Sequence, residues 1–154
     1  MSITIRPAII DDLRVLEHFE QGVINTERPF DPTLKKGDIH YYDLKEMIEA
    51  SHIHLIVAVE NSVIIGSGYA RIEKAKHYEQ HPQHAYLGFM YTDPGHRGKG
   101  VNKMIIEELK RWSLSQNISE MRLEVYYDNI PAIHAYEKAG FKKHMITMRM
   151  STHD

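Results

Sequence analysis

The sequence predicts an α/β fold on a mixed β-sheet, with elements in the order β-α-α-β-β-β-α-β-α-β. Two runs at 53–60 and 63–72, apolar or alternating, are separated by Asn61-Ser62, which signals an antiparallel hairpin. The stretch 98–116 is the clearest helix in the chain and stands between strand-like runs at 85–92 and 121–127. Strand, crossover helix and strand make a right-handed βαβ unit with parallel strands. A sheet holding both arrangements is mixed.

Residues 2–6 alternate, with Ile3 and Ile5 on one face of a short strand. After Pro7, Asp11-Asp12 favour the start of a helix carrying Leu13, Leu16 and Phe19. Residues 22–38 contain Pro29, Pro32 and Gly37 and read as a loop or broken helix. A second helix is expected over 41–50, with Leu44, Met47 and Ile48 on its buried face. Gly66 and Gly68 inside the second hairpin strand suggest a bulge or bend. The polar stretch 73–83 is a loop, and Asp93-Pro94-Gly95 closes the strand that follows it. Val101, Met104, Ile105, Leu109 and Trp112 line one face of the long helix. In 121–127, Leu123 and Val125 oppose Glu124 and Tyr126. Asn129 suits an N-cap, Pro131 a first turn and Gly140 a C-terminal stop. A final strand is expected over 141–150.

The 154 residues fit a single domain, 1–154, burying roughly two-thirds of its surface. With 42% hydrophobic residues, 26% charged residues and a net charge of -2, the chain lacks the basic face that nucleic acid requires. No cysteine is present, so a thiol nucleophile, disulfide or thiolate metal site is excluded. The first residues do not read as a signal peptide, and no apolar run could span a bilayer. A cytoplasmic protein with no membrane partner is the expectation.

The most informative local chemistry is Arg97-Gly98-Lys99-Gly100, which leads straight into the long helix. A helix that begins after a glycine turn has unpaired first amides, and these attract an anion. Gly98 and Gly100 permit close approach, and Arg97 and Lys99 add positive charge. A tight turn with two exposed basic side chains is the plainer reading. Two other phosphate loops fail. No Lys-Ser/Thr follows Gly100, as a Walker loop requires, and Lys103 stands where the dinucleotide fingerprint needs its third glycine. Downstream, Asn129 precedes Tyr136 by seven positions, and Gly140-Phe141 follows.

Asp93-Pro94 with Arg97-Gly98-Lys99-Gly100-Val101 resembles the acetyl-CoA signature of the GNAT acyltransferase superfamily, Gln/Arg-x-x-Gly-x-Gly/Ala. Asn129, Tyr136 and Gly140-Phe141 resemble its second signature, and the element order is similar to the GNAT fold across nearly the whole chain. One position departs: Asn102 stands at the last Gly/Ala, where it would either crowd a pyrophosphate or donate to it. The resemblance implies a single N-acetyltransferase domain that uses acetyl-CoA as co-substrate. It implies pantetheine contacts with the backbone of Met90, Tyr91 and Thr92, a pyrophosphate on Arg97, Gly98, Lys99, Gly100, Val101 and Asn102, and a contact from Asn129 near the thiol. Tyr136 matches the position of the family's catalytic tyrosine, which protonates the departing thiolate. Glu124, five residues before Asn129, resembles the catalytic glutamate of ribosomal-protein N-terminal alanine acetyltransferases. A solvent-facing strand glutamate is its plainer reading.

In this fold the segment between the first two helices shapes the acceptor side. Arg28 there could clamp a carboxylate, and Glu27 or Asp31 could hold an ammonium, which suggests a small amine or amino acid. A protein N-terminus is the alternative acceptor, and a non-catalytic acyl-CoA-binding module the alternative from another class. Eleven histidines are present, but His52 with His54, and His77, His81 and His84, lack a recognised zinc spacing, so no metal is expected. An exposed sheet edge near the C-terminus would support a homodimer.

Overall fold

Five strands form one sheet in the order β1-β2-β3-β4-β5 in a computed structural model that describes residues 2–153. They are β1 (Thr4–Pro7), β2 (Ile53–Glu60), β3 (Val63–Lys74), β4 (Gln83–Thr92) and β5 (Met121–Arg122). The first four pair antiparallel, and β4 pairs β5 in parallel, so the sheet is mixed as expected. The β2–β3 turn holds Asn61 and Ser62 at φ 52° and 64°. Both lie in the left-handed region that a two-residue hairpin turn demands, and asparagine tolerates it without glycine.

Four α-helices accompany the sheet: α1 (Leu13–Glu27), α2 (Leu44–Glu49), α3 (Val101–Ser115) and α4 (Ile130–Lys138). Leu16 and Phe19 of α1 and Leu44 and Met47 of α2 form one core with Leu55, Val57, Tyr69 and Phe89 of the sheet. On the opposite face Val101, Ile105 and Leu109 of α3 close on Gly66 and Gly68 of β3. The ladders slip at Ala58/Val59 and at Ser67/Tyr69, so the bulge expected around these glycines is present. Asp12 receives both terminal nitrogens of Arg6, at 2.8 and 3.0 Å, and the amide of Ile9, which fixes the entry to α1.

Two departures from the sequence reading stand out. Residues 22–27, expected as loop or broken helix, continue α1, and a 3-10 turn over Arg28–Phe30 follows. Gly22 is kept in the helix because a Cβ there would stand 2.6 Å from the Tyr91 ring. The second departure is the last strand. Among the described residues no strand follows α4, and β5 is two residues long rather than seven. Met145, Ile146, Met148 and Met150 are exposed. Alternation makes a strand possible, but only a hydrogen-bonded neighbour makes one.

The contacts separate residues 1–124 from 125–154 as two units. The second contains α4, capped by Asn129 and closed by Gly140 at φ 110°.

Candidate functional site

Past Gly88 the strand β4 carries one residue more than β3. Ser67 pairs with Tyr91 and Tyr69 with Gly88, leaving Gly68 opposite both Phe89 and Met90. Phe89 takes φ 54°, a conformation that costs a bulky residue of order 1–3 kcal/mol. It is held there by the Ser67 hydroxyl, which donates to its carbonyl at 3.0 Å, and by burial of its ring. Bulges re-aim a strand and end its pairing. Here the β4–β5 ladder is confined to Ala85↔Met121 and Tyr86↔Arg122, so the second half of β4 has no ladder on that side. Met90, Tyr91 and Thr92 all lie in this unpaired half. The Tyr91 ring packs on Phe19 at 4.7 Å, while the Met90 sulfur lies on the Gly68 side toward α3.

The strand then turns into α3. Gly98 and Gly100 adopt φ 82° and 80°, and Gly100 is the N-cap, without a side-chain cap. Nothing lies within 4 Å of a Cβ built on either glycine, so backbone conformation and not crowding selects them. Met104 is the first amide to find a helical acceptor, on the Gly100 carbonyl. Val101, Asn102 and Lys103 therefore present orphan donors at the positive end of the helix dipole. Lys99 reaches back to Glu60 at 3.1 Å, and His96 links Glu60 at 3.6 Å to Asp93 at 3.0 Å. The His96 hydrogen bond holds the Asp93 carboxyl below its usual range. Arg97 makes no side-chain hydrogen bond or ion pair among the described residues. An open strand edge followed by uncapped amides fits an extended amide-bearing arm that ends in a diphosphate.

On the α1–α2 face of the sheet, register brings together residues that no local motif announces. Tyr69, Arg71 and Glu73 of β3 stand opposite Gly88, Tyr86 and His84 of β4. Glu73 takes the Nε and Nη2 of Arg71 at 2.9 and 2.7 Å, so the guanidinium lies 5.5 Å from the Tyr69 ring and 5.3 Å from that of Tyr86. The Tyr86 hydroxyl donates to Glu124 at 3.0 Å. Burial first, then the charge of Glu124, pushes the Tyr86 phenol well up, so it remains a donor across working pH. Tyr42 packs edge-on to Tyr69 at 5.9 Å and against Phe89 at 5.0 Å. Burial pushes its phenol up as well. The period-two polar stripe Tyr69-Arg71-Glu73 within an apolar strand was the available sequence signal.

Of the residues expected on the acceptor side, Arg28 donates to the carbonyls of Lys35 and Gly37 at 2.8 and 2.6 Å, stapling its own loop. Asp31 accepts from the amide and hydroxyl of Thr33. Glu27 is half-buried, and that burial raises its carboxyl pKa, opposed by a hydrogen bond from Tyr41 and reinforced by Asp31. In the second unit, Asn129 caps α4 by accepting from Ala132 at 3.4 Å, and the Tyr136 ring meets Phe141 edge-on at 5.9 Å. Among the described residues no cluster of three or more His, Asp or Glu side chains could hold a metal ion, and no helix is long and apolar enough to cross a membrane. His54 instead stacks on Trp112 and bonds Glu108.

The acetyltransferase (GNAT) family model matches residues 21–141. The chain belongs to this family. A streptothricin acetyltransferase of Escherichia coli is 48% identical to this GNAT chain over 46 residues, 30% of the chain. That match spans 26% of the relative, so the chain covers about a quarter of it. An aminoglycoside N(6')-acetyltransferase of Salmonella typhimurium is 25% identical over 108 residues, 69% of this chain and 74% of its own. The fold is shared with a predicted acetyltransferase of Clostridium acetobutylicum solved with acetyl-CoA, at TM-score 0.75 and 19% identity, covering 97% of this chain and 96% of that one.

Proposed function

We propose that this GNAT protein is an acetyl-CoA-dependent N-acetyltransferase that modifies a primary amine of a small cationic molecule. One observation carries the reading: β4 parts from β5 beyond Tyr86 and leads to an uncapped helix start at Gly100. The unpaired edge at Met90, Tyr91 and Thr92 binds pantetheine, and the amides of Val101, Asn102 and Lys103 bind the diphosphate, with Arg97 adding charge. Acetyl-CoA supplies the activated acetyl thioester.

Side chains then handle the protons. An alkylamine has a pKa of about 10.4 and must be neutral to attack. Glu124, oriented by the Tyr86 hydroxyl, takes that proton. A backbone amide near Met90 or Tyr91 stabilises the developing oxyanion. Tyr136, assigned from its place in the Asn129–Phe141 motif, returns a proton to the thiolate. The cationic acceptor is supported by the acceptor face, where Glu27 and Glu124 accompany four tyrosines while Arg71 and Glu73 balance each other. The names of the relatives, streptothricin and aminoglycoside acetyltransferases, agree with that class.

Thiol release from acetyl-CoA, measured across a panel of aminoglycosides, polyamines, amino acids and peptides, tests the reading. Turnover is expected with the multi-amine compounds, with kcat about 10²- to 10⁴-fold lower in Tyr136→Phe and in Glu124→Gln. Acetyl-CoA affinity should change little in either variant. Absence of turnover on every amine, or full activity in both variants, refutes it.

A further inference from the structure

Glu20 lies in the middle of α1 among Leu16, Phe19 and Ile24 and is 1% exposed, yet it takes no part in the chemistry above. A carboxylate withdrawn from water is costly unless its oxygens are bonded. Both of its oxygens are bonded, and to one short stretch of chain. Oε2 accepts the amides of Tyr41 and Tyr42, each at 2.8 Å, and Oε1 meets His40 Nδ1 at 3.0 Å. The neighbouring Gln21 adds a fourth tie by donating to the Ile39 carbonyl at 3.0 Å. A leucine would fill the same space in the helix face, but it could not hold two consecutive amides.

Those two amides belong to the residues that line the acceptor face. Tyr42 carries its ring onto Tyr69 and onto Phe89, the strained residue of the β4 bulge. Tyr41 lies edge-on to Tyr42 at 5.8 Å, and its hydroxyl is close enough to the half-buried Glu27 to favour the charged carboxylate. One buried anion thus sets the position of two aromatic rings, one of them beside the Glu27 carboxyl.

We infer that Glu20 is a positioning residue for acceptor recognition, acting through residues 40–42 to hold Tyr41, Tyr42 and Glu27 where a cationic amine docks. The inference rests on the acetyltransferase reading above and deepens it. Removing the anion loosens the acceptor wall and leaves the β4 edge and the start of α3 untouched. Glu20 therefore acts on acceptor affinity, not on the chemical step or on acetyl-CoA.

The test compares the full chain with Glu20→Gln, using kanamycin as the probe amine. Kanamycin binding to CoA-saturated protein is followed by calorimetry, alongside steady-state kinetics, acetyl-CoA affinity and amide hydrogen exchange. The variant should bind kanamycin about tenfold more weakly and raise its KM alike, since tenfold corresponds to one or two lost hydrogen bonds. The kcat and acetyl-CoA affinity should stay within about threefold, a difference that a surface change would also produce. Exchange should quicken at Tyr41 and Tyr42 while Ile56 and Leu87 remain protected. Should Glu20→Gln fail to fold, Gln21→Ala, which removes only the Ile39 tie, should reproduce the split at smaller size. Unaltered KM despite faster exchange at Tyr41 and Tyr42 overturns the inference while leaving the acetyltransferase reading intact. So does an equal loss of kcat, KM and acetyl-CoA affinity. Kanamycin that binds and responds to Glu20→Gln but is never acetylated supports the positioning role and removes kanamycin as a substrate, while absence of turnover across the whole amine panel sinks the enzymatic reading. A wild-type chain that does not bind kanamycin overturns the role as stated for an aminoglycoside acceptor.

Discussion

At the start of α3 the groups that face outward are backbone: the amides of Val101 to Lys103 behind two glycines at φ near 80°. On the α1–α2 face they are side chains drawn from α1, the 40–42 segment, β3, β4 and the residue pair after β5. The first region is specified within six consecutive residues, because an amide needs only the right φ/ψ to point at an anion. The second exists only once register has set Tyr69 beside Gly88 and Arg71 beside Tyr86. A backbone-built site is therefore local in sequence and indifferent to pH. A side-chain-built site is dispersed, titratable and open to retuning one residue at a time.

The strongest way to break that contrast is Gly100→Val. A β-branched residue at φ 80° is an outlier, and the left-handed conformation alone costs about 1–2 kcal/mol. The chain is expected to relieve it by rotating the first turn of α3, scattering the amides. Acetyl-CoA affinity, read by calorimetry, should fall by about tenfold or more, with helix content by circular dichroism unchanged. An affinity within twofold of the parent would mean that side chains, not amides, hold the anion.

The proposed acceptor face should instead respond to pH. Burial raises the Glu27 carboxyl, so it charges later than a free glutamate as pH rises. The KM for kanamycin should fall by about three- to tenfold as pH rises through that raised pKa, because the charged form attracts an ammonium. Glu27→Gln should flatten the dependence and leave acetyl-CoA affinity unaltered at every pH. Stability runs the opposite way to acceptor affinity. The folded pKa is raised, so what the protonated carboxyl contributes is present at low pH and lost as pH rises through the folded value. The variant should accordingly gain in Tm over the parent as pH increases. A parallel pH dependence in the two proteins would remove Glu27 from the acceptor site.

The same contrast explains what could be read in advance. Asn61-Ser62, the glycines at 98 and 100, the Asn129 cap and the Gly140 stop are local instructions, and each matches the element found there. Strands β1 to β4 and the face of α3 follow from periodicity. Tyr42, Tyr69, Arg71, Tyr86 and Glu20 carry no local motif, because their meaning is set by partners 15 or more positions away, as with Tyr86↔Arg71 and Glu20 with Tyr42. Residues 141–150 show the converse error. Their alternation permits a strand, yet pairing is a long-range event, and Met145 and Met148 remain exposed. Residues 22–27 differ for a related reason: Pro29, Pro32 and Gly37 mark a loop, yet the helix runs on to Glu27, with Gly22 packed under the Tyr91 ring of β4.

The smallest effect is expected where a side chain accompanies the backbone site. Lys99 sits in the turn proposed to hold the diphosphate and would be the first residue chosen as an anion ligand on charge alone. Its ammonium, however, is 3.1 Å from Glu60, which His96 also approaches, and its side chain is 44% exposed. A surface pair of this kind contributes about 0–1 kcal/mol, and solvent screens the remainder. Lys99→Ala removes a cation already balanced by Glu60, so acetyl-CoA affinity should weaken by less than about threefold at physiological salt. Lowering the ionic strength should widen the gap only modestly, because the orphan amides of Val101 to Lys103 carry no net charge to screen. A loss as large as that from Gly100→Val would show that Lys99 leaves Glu60 to grip the diphosphate, and would move this turn into the same side-chain-built class as the acceptor face.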